Sequence, residues 1–166
     1  YFPLSFEPER TTNPDGGYFH DQLLAIVQIR KIFPEKIKIV VKEHPTQLFL
    51  SNRSHLGRSP LFYKTLSNIK NLEVVGIESN SIELIKNSIA VSTITGSVAV
   101  ETALLEKRSI VFGETWYDGA PNIFSWSEDL NYEKLMSYKI RKSDKVSQFL
   151  EEKAKSICTP GTPVPS

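Results

Sequence analysis

Cysteine is nearly absent from this chain of 166 residues, where Cys158 stands alone. A single thiol excludes an internal disulfide and a thiolate metal cluster, and it points to a reducing compartment, the cytoplasm. Long hydrophobic runs are missing as well. No apolar stretch approaches the roughly 20 residues that span a bilayer, and the first residues lack the basic and apolar regions of a secretory signal, so a soluble chain is expected. An excess of either charge is also lacking. Twenty basic against nineteen acidic residues leave a net charge of +1, which gives no electrostatic reason for nucleic acid or an anionic membrane as a partner. His20, His44 and His55 lack metal-ligand spacing, and no Gly-x-Ser-x-Gly elbow, P-loop or Gly-x-Gly-x-x-Gly fingerprint occurs.

What is present is enough for one core. Hydrophobic residues make up 40% of the chain, and its length fits a single domain over residues 1–157 followed by a mobile, proline-rich tail at 158–166. Strand-like runs stand at Tyr1–Phe6, Ile37–Val41, Leu72–Gly76, Ile89–Ile94 and Ser109–Gly113. Between them lie helical patterns. Leu23, Ile26, Ile29 and Phe33 recur at helical spacing, Pro60 opens a helix through Leu66, Asn80-Ser81 can cap Ile82–Lys86, and a further helix runs from Gly96 to Lys107. The segment Gln47–Ser59 reads as irregular and Trp116–Trp126 as a loop, with helices near Tyr132–Tyr138 and Asp144–Ser156. Strands alternating with helices predict an α/β fold, a Rossmann-like three-layer sandwich around a parallel sheet of about five or six strands. Because the chain begins inside a strand at Tyr1, it reads as a piece whose partner domain precedes it, with half of any cleft site supplied from there.

Two segments carry most of the chemical information. Val40-Val41-Lys42-Glu43-His44-Pro45 and Ser92-Thr93-Ile94-Thr95-Gly96-Ser97 are apolar runs that stop at small, polar or rigid residues, as parallel strands do at the carboxyl edge of a sheet. Two such edges predict one ligand site. Pro45 ends the strand and holds the His44 imidazole at that edge, where it serves either as a local hydrogen-bonding residue or as a donor to a phosphate or carboxylate. Thr95-Gly96-Ser97 lies at a strand-to-helix junction suited to anions, the alternative being plain N-capping by Thr95 or Ser97. Glu101 stands four residues from Ser97 on the same helix face, where it would accept ribose hydroxyls or simply complement the helix dipole. Trp116 and Tyr117 either wall a base or sugar or cover the core.

Pro8-Glu9-Arg10-Thr11, Asp21-Gln22, Val41-Lys42-Glu43-His44-Pro45, Thr95-Gly96-Ser97-Val98-Ala99-Val100-Glu101 and Phe112-Gly113 together resemble the capsule polysaccharide synthesis and export family, with Kdo transferases and bacterial sialyltransferases among its relatives. The resemblance implies the carboxyl-terminal, donor-binding half of a GT-B glycosyltransferase for bacterial surface polysaccharide. It further implies that His44-Pro45 and Thr95-Gly96-Ser97 contact the cytidine monophosphate portion of a CMP-activated sugar, with Glu101 beside them. Glu9, Arg10, Lys42, Trp116 and Tyr117 are the accompanying candidates for substrate contact. No metal or other cofactor is required, the nucleotide sugar being a substrate. The catalytic base and acceptor site belong to the missing amino-terminal half, so no catalytic residue is assigned here. Expected partners are that domain and other polysaccharide assembly proteins; the expected location is cytoplasmic, with a peripheral place at the inner membrane as the alternative. Two other readings stay open: half of an enzyme like UDP-N-acetylglucosamine 2-epimerase, and a non-catalytic nucleotide- or glycan-binding module.

Overall fold

The structure is a computed structural model, and it describes residues 1–7, 15–49 and 58–157. Within these, strands β1 (Phe2–Pro3), β2 (Ile39–Lys42), β3 (Leu72–Val75), β4 (Ala90–Thr93), β5 (Arg108–Val111) and β6 (Ile123–Ser125) form two three-stranded parallel sheets, ordered β1-β2-β3 and β4-β5-β6. Each sheet has fewer strands than the single sheet of five or six that the sequence predicts. The reason is the shortness of β1, which keeps only two residues of the expected Tyr1–Phe6 run. The sheets nevertheless meet there. The Tyr1 backbone nitrogen donates to Ala90 O at 2.9 Å, and Ser92 N–H donates to Tyr1 O at 2.8 Å. These two bonds bracket Val91 as a parallel ladder would, so the spatial order is β3-β2-β1-β4-β5-β6. That is the order of a Rossmann-like fold.

Seven α-helices and one 3₁₀ turn (Gly17–His20) join the strands among the described residues. Helix α1 (Gln22–Ile32) starts where the Asp21 carboxylate accepts from Leu23 N–H, and α3 (Pro60–Ser67) starts where Ser59 accepts from Phe62 N–H. Helix α4 (Ser81–Asn87) is capped by the Asn80 side chain, which accepts from Ile82 and Glu83 N–H. Each cap satisfies backbone donors that the first turn leaves without partners. Helix α2 (Pro45–Phe49) departs from the irregular reading of that segment, because Pro45, needing no donor, is well placed in a first turn. Helices α5 (Val98–Leu104), α6 (Tyr132–Ser137) and α7 (Ser143–Ile157) complete the set, and β6 corrects the expected Trp116–Trp126 loop. The tail at 158–166 lies outside the described residues.

Alternation along the strands sorts the apolar residues onto two faces. Phe2, Ile39, Val41 and Ile110 pack with Ile26 and Ile29 of α1, Phe62 and Leu66 of α3 and Leu135 of α6. Val111 and Ile123 pack on the other face with Ala99 and Ala103 of α5, Tyr117, and Val146 of α7. Successive residues Ile110 and Val111 thus feed opposite layers, which makes the structure a three-layer sandwich. Arginines finish helix and loop ends: Arg108 donates to the carbonyls of Leu135, Met136 and Tyr138, and Arg30 to those of Phe33, Pro34, Ile37 and Lys70.

Two packing details bear on the strand ends. A Cβ at Gly113 would lie 2.6 Å from Thr95 Cγ2 and 2.7 Å from Asp15 O, so only glycine lets the end of β5 pass beneath the 15–16 segment. Gly113→Ala should therefore destabilise the fold by about 1–3 kcal/mol, measurable as a lowered midpoint of urea unfolding. Helix α3 is tied to the end of β2 by Tyr63, whose hydroxyl donates to Glu43 Oε2 at 2.7 Å. Burial, and then the hydrogen bond and negative charge of Glu43, push the Tyr63 phenol up from its ordinary 10.0 to about 12. The folded state keeps this proton more tightly than the unfolded chain. Its contribution to stability is therefore whole below pH 10 and lost as pH rises from 10 to about 12. Tyr63→Phe should flatten that part of the stability–pH curve, read by denaturant midpoints across the same range.

Candidate functional site

In the order β3-β2-β1-β4-β5-β6 the chain winds one way from β1 and the other way from β4. Ligands in such sheets bind in the crevice beyond the carboxyl ends of the strands at this reversal. The carboxyl ends of β2, β1 and β4 carry His44, the Ser5–Glu7 segment and Thr95-Gly96-Ser97 in turn. Backbones of β2 and β4 are two strand spacings apart, about 10 Å, with β1 between them.

His44 is half-buried, directly after Glu43 and before α2. Its Nδ1 accepts from Thr46 N–H at 3.2 Å, which fixes the neutral ring with its proton on Nε2. The Phe6 ring lies 6.2 Å from it, tilted. Pro45 is exposed and opens α2. At the end of β4, Gly96 N–H donates to Thr93 Oγ1 at 3.2 Å, and a Cβ at Gly96 would sit 2.7 Å from that oxygen. Tyr117 donates its hydroxyl to Thr95 O at 3.1 Å and Gly96 O at 2.8 Å. The carbonyls of this turn are thus tied inward by Tyr117, and the Gly96 N–H is spent on Thr93. Ser97 occupies the N-cap position of α5 but makes no side-chain cap bond. Its exposed hydroxyl stands 3.5 Å from Glu101 Oε1, so the same-face placement of Ser97 and Glu101 holds and simple capping by Ser97 does not.

Other candidates fall elsewhere. Tyr117 is 1% exposed, and burial pushes its phenol well above the usual range. It is a core residue that braces the Thr95–Gly96 turn, the core-covering alternative of its sequence reading rather than the sugar wall. Trp116, 51% exposed, stands edge-on to it at 5.6 Å. Lys42 is a correction: it is buried, and its ammonium donates to Ser79 O at 2.5 Å and Ser81 Oγ at 2.9 Å. As the strand neighbour of Glu43 it points to the opposite face, where it joins β2 to the start of α4. Glu9 and Arg10 lie outside the described residues.

Sequence reasoning missed a buried polar network under the crevice. Arg58 Nη1 pairs with Glu7 Oε2 at 2.8 Å, Arg58 Nε with Glu43 Oε2 at 3.1 Å, and Arg58 Nη2 donates to Ser5 O at 2.7 Å. Gln22 accepts from Ser5 N–H at 2.8 Å and donates to Glu7 Oε1 at 2.5 Å, while Gln47 accepts from Glu7 N–H at 2.9 Å and donates back to Glu7 O at 3.1 Å. The guanidinium also lies over the Phe62 ring at 4.7 Å. Gln22 and Glu43 fall within sequence motifs named above, so a charged or amide residue beside each apolar run was the visible signal. Arg58, Gln47 and Tyr63 had none, since their partners are far along the chain.

A groove of about 910 Å³ opens beyond β5 and β6, lined by Asp15, Phe19, Gly113, Glu114, Asp118 and Trp126 among others. A cavity of about 370 Å³ lies at the opposite, amino edge, between Ile37–Val40 and Asn87–Ala90, away from every strand end just described. Among the described residues no three His, Cys, Asp or Glu side chains are grouped to hold a metal ion, and no helix is long and apolar enough to cross a membrane.

Comparison with known proteins follows the same lines. A search of curated proteins finds no match. Among solved structures, the KpsC beta Kdo 2,4 transferase of Thermosulfurimonas dismutans matches with a TM-score of 0.54 at 18% identity, covering 89% of this chain and 42% of that one. The likeness is one of fold, and the chain spans less than half the length of that protein. The profile described as "Capsule polysaccharide biosynthesis protein" matches residues 17–149. That stretch takes in β2 with His44, the β4 turn with Thr95–Ser97 and the Gly113 strand end, and the chain therefore belongs to the capsule polysaccharide biosynthesis protein family.

Proposed function

We infer that this chain is the donor-binding half of a GT-B glycosyltransferase that builds bacterial capsular polysaccharide from a CMP-activated sugar. The observation that carries the reading is the pairing of His44, its proton held on Nε2 by Thr46, with the Thr95–Ser97 turn, its carbonyls tied to Tyr117, on either side of the strand-order reversal. An imidazole N–H and a serine hydroxyl reaching over β1 from both sides would hold the donor phosphate. They would also stabilise the negative charge that develops on the departing nucleotide. Glu101, one turn on from Ser97, would accept from ribose hydroxyls. This chemistry needs no metal ion. The family membership supports the polysaccharide role, and the fold likeness to a Kdo transferase is in keeping with a sugar-transfer reaction.

Calorimetric titration with CMP, UDP, GDP and ADP tests the donor class. CMP should bind tightest; tighter binding of UDP removes the CMP-sugar assignment and favours the epimerase-like reading. Charge-assisted hydrogen bonds contribute about 1.5–3 kcal/mol, so His44→Ala and Ser97→Ala should each weaken CMP binding about tenfold or more. Melting temperatures should be unchanged, and the double variant should be non-additive because both groups serve one ligand. Unchanged affinity in both single variants would overturn the site. The chain by itself, given a CMP-sugar and a glycolipid acceptor, should yield no product, and multiple turnovers would show that the base is on this half.

A further inference from the structure

His44 is the last residue before α2, a place where a chain end is ordinarily loose. Here its backbone is held. Glu43 Oε1 accepts His44 N–H at 2.7 Å, while Oε2 of the same carboxylate accepts from Tyr63 Oη at 2.7 Å and Arg58 Nε at 3.1 Å. The Glu43 side chain is 6% exposed and that of Arg58 3%. One carboxylate thus serves three donors from three parts of the chain: the strand end, α3 and the segment just before it. Arg58 carries the link onward to Glu7 and Ser5, beside β1, on the floor of the same crevice.

We propose that Glu43, braced by Tyr63 and Arg58, is the positioning residue that sets His44 for ligand binding. It fixes the amide of His44 and hence the turn in which Thr46 N–H reaches Nδ1. The result is an imidazole with one tautomer and one orientation before any ligand arrives, which spares the ordering cost on binding. A carboxylate suits the task because it offers two acceptor oxygens on opposite sides. Glutamine has the same size but a single acceptor. If its oxygen faces Arg58 and Tyr63, its NH₂ is turned on the His44 N–H; if it faces His44, its NH₂ is turned on two other donors.

This inference rests on the reading of His44 as a ligand-binding residue, and its test separates the two. In Glu43→Gln the His44 backbone amide should shift and exchange faster with solvent, and long-range proton–nitrogen spectra should show the ring losing its single Nε2–H tautomer, with the His44→Ala spectrum assigning the ring. CMP affinity should fall about tenfold, the scale of one hydrogen bond to a charged group. A Glu43 that served stability alone would lower the melting temperature and leave the His44 signals unchanged, and that result in a folded variant overturns the proposal. Tyr63→Phe keeps the carboxylate and removes one of its braces, so it provides the same spectroscopic test should Glu43→Gln fail to fold: the His44 amide should shift, and an unmoved amide overturns the proposal. The spectra are taken on the free protein. Failure of CMP to bind the unaltered chain thus removes the proposed function and leaves the positioning claim to be decided by the His44 signals.

Discussion

A guanidinium buried between two carboxylates holds the functional edge of this domain together. Arg58 is 3% exposed at its side chain, against 6% for Glu43 and 20% for Glu7, and its third nitrogen is used by Ser5 O. Such a cluster is costly to desolvate, and it persists because each guanidinium nitrogen has an acceptor. Losing one partner would leave a buried charge uncompensated, at a cost of about 3–5 kcal/mol. What the cluster secures is geometry. Residues 5–7 run past the end of β1 without ladder partners, and Arg58, Gln22 and Gln47 supply those bonds from side chains instead.

That geometry matters because β1 is at once the shortest support and the most central. With two residues it pairs with β2, and through Tyr1 alone it reaches β4. The strand-order reversal that opens the crevice is therefore bridged by few backbone bonds, and the apolar contacts of Phe2 and Leu4, 1% and 2% exposed, do most of the anchoring. Rigidity at the carboxyl edge comes from the polar network on the β2 side and from Tyr117 and Gly113 on the β4–β5 side. Between these two braced walls lie the groups read here as ligand-binding. The chain belongs to the capsule polysaccharide biosynthesis protein family, and the donor site proposed above lies at this braced edge.

Much of this was legible before any fold was known. The alternation of strand and helix, the cap at Asn80, the strand stop at His44-Pro45 and the turn at Thr95–Ser97 are local features, set by residues within a few positions of one another. What escaped was non-local. The two-residue length of β1 and the existence of β6 depend on which neighbour each strand meets, and the five-residue α2 depends on Gln47 finding Glu7 forty positions away. Lys42 looked like a substrate contact because polar residues near a strand end commonly are, and Tyr117 could be read either as a sugar wall or as a core cover. Neither could be told from a buried brace without knowing that Ser79 and Ser81 wait for one, and the Thr95 and Gly96 carbonyls for the other.

The sequence by itself determined the fold class, the family and the two strand ends that face the crevice, since hydrophobic period and turn chemistry act over short range and survive in any context. Only the tertiary structure decided which of the polar residues there are open to a ligand and which are consumed in holding the site. Charge and hydrogen-bonding capacity are written in the sequence; whether a buried partner has already taken them is a property of distance in space, and Glu43, Arg58 and Tyr63 become one unit only when β2, the segment before α3 and α3 itself are packed against each other.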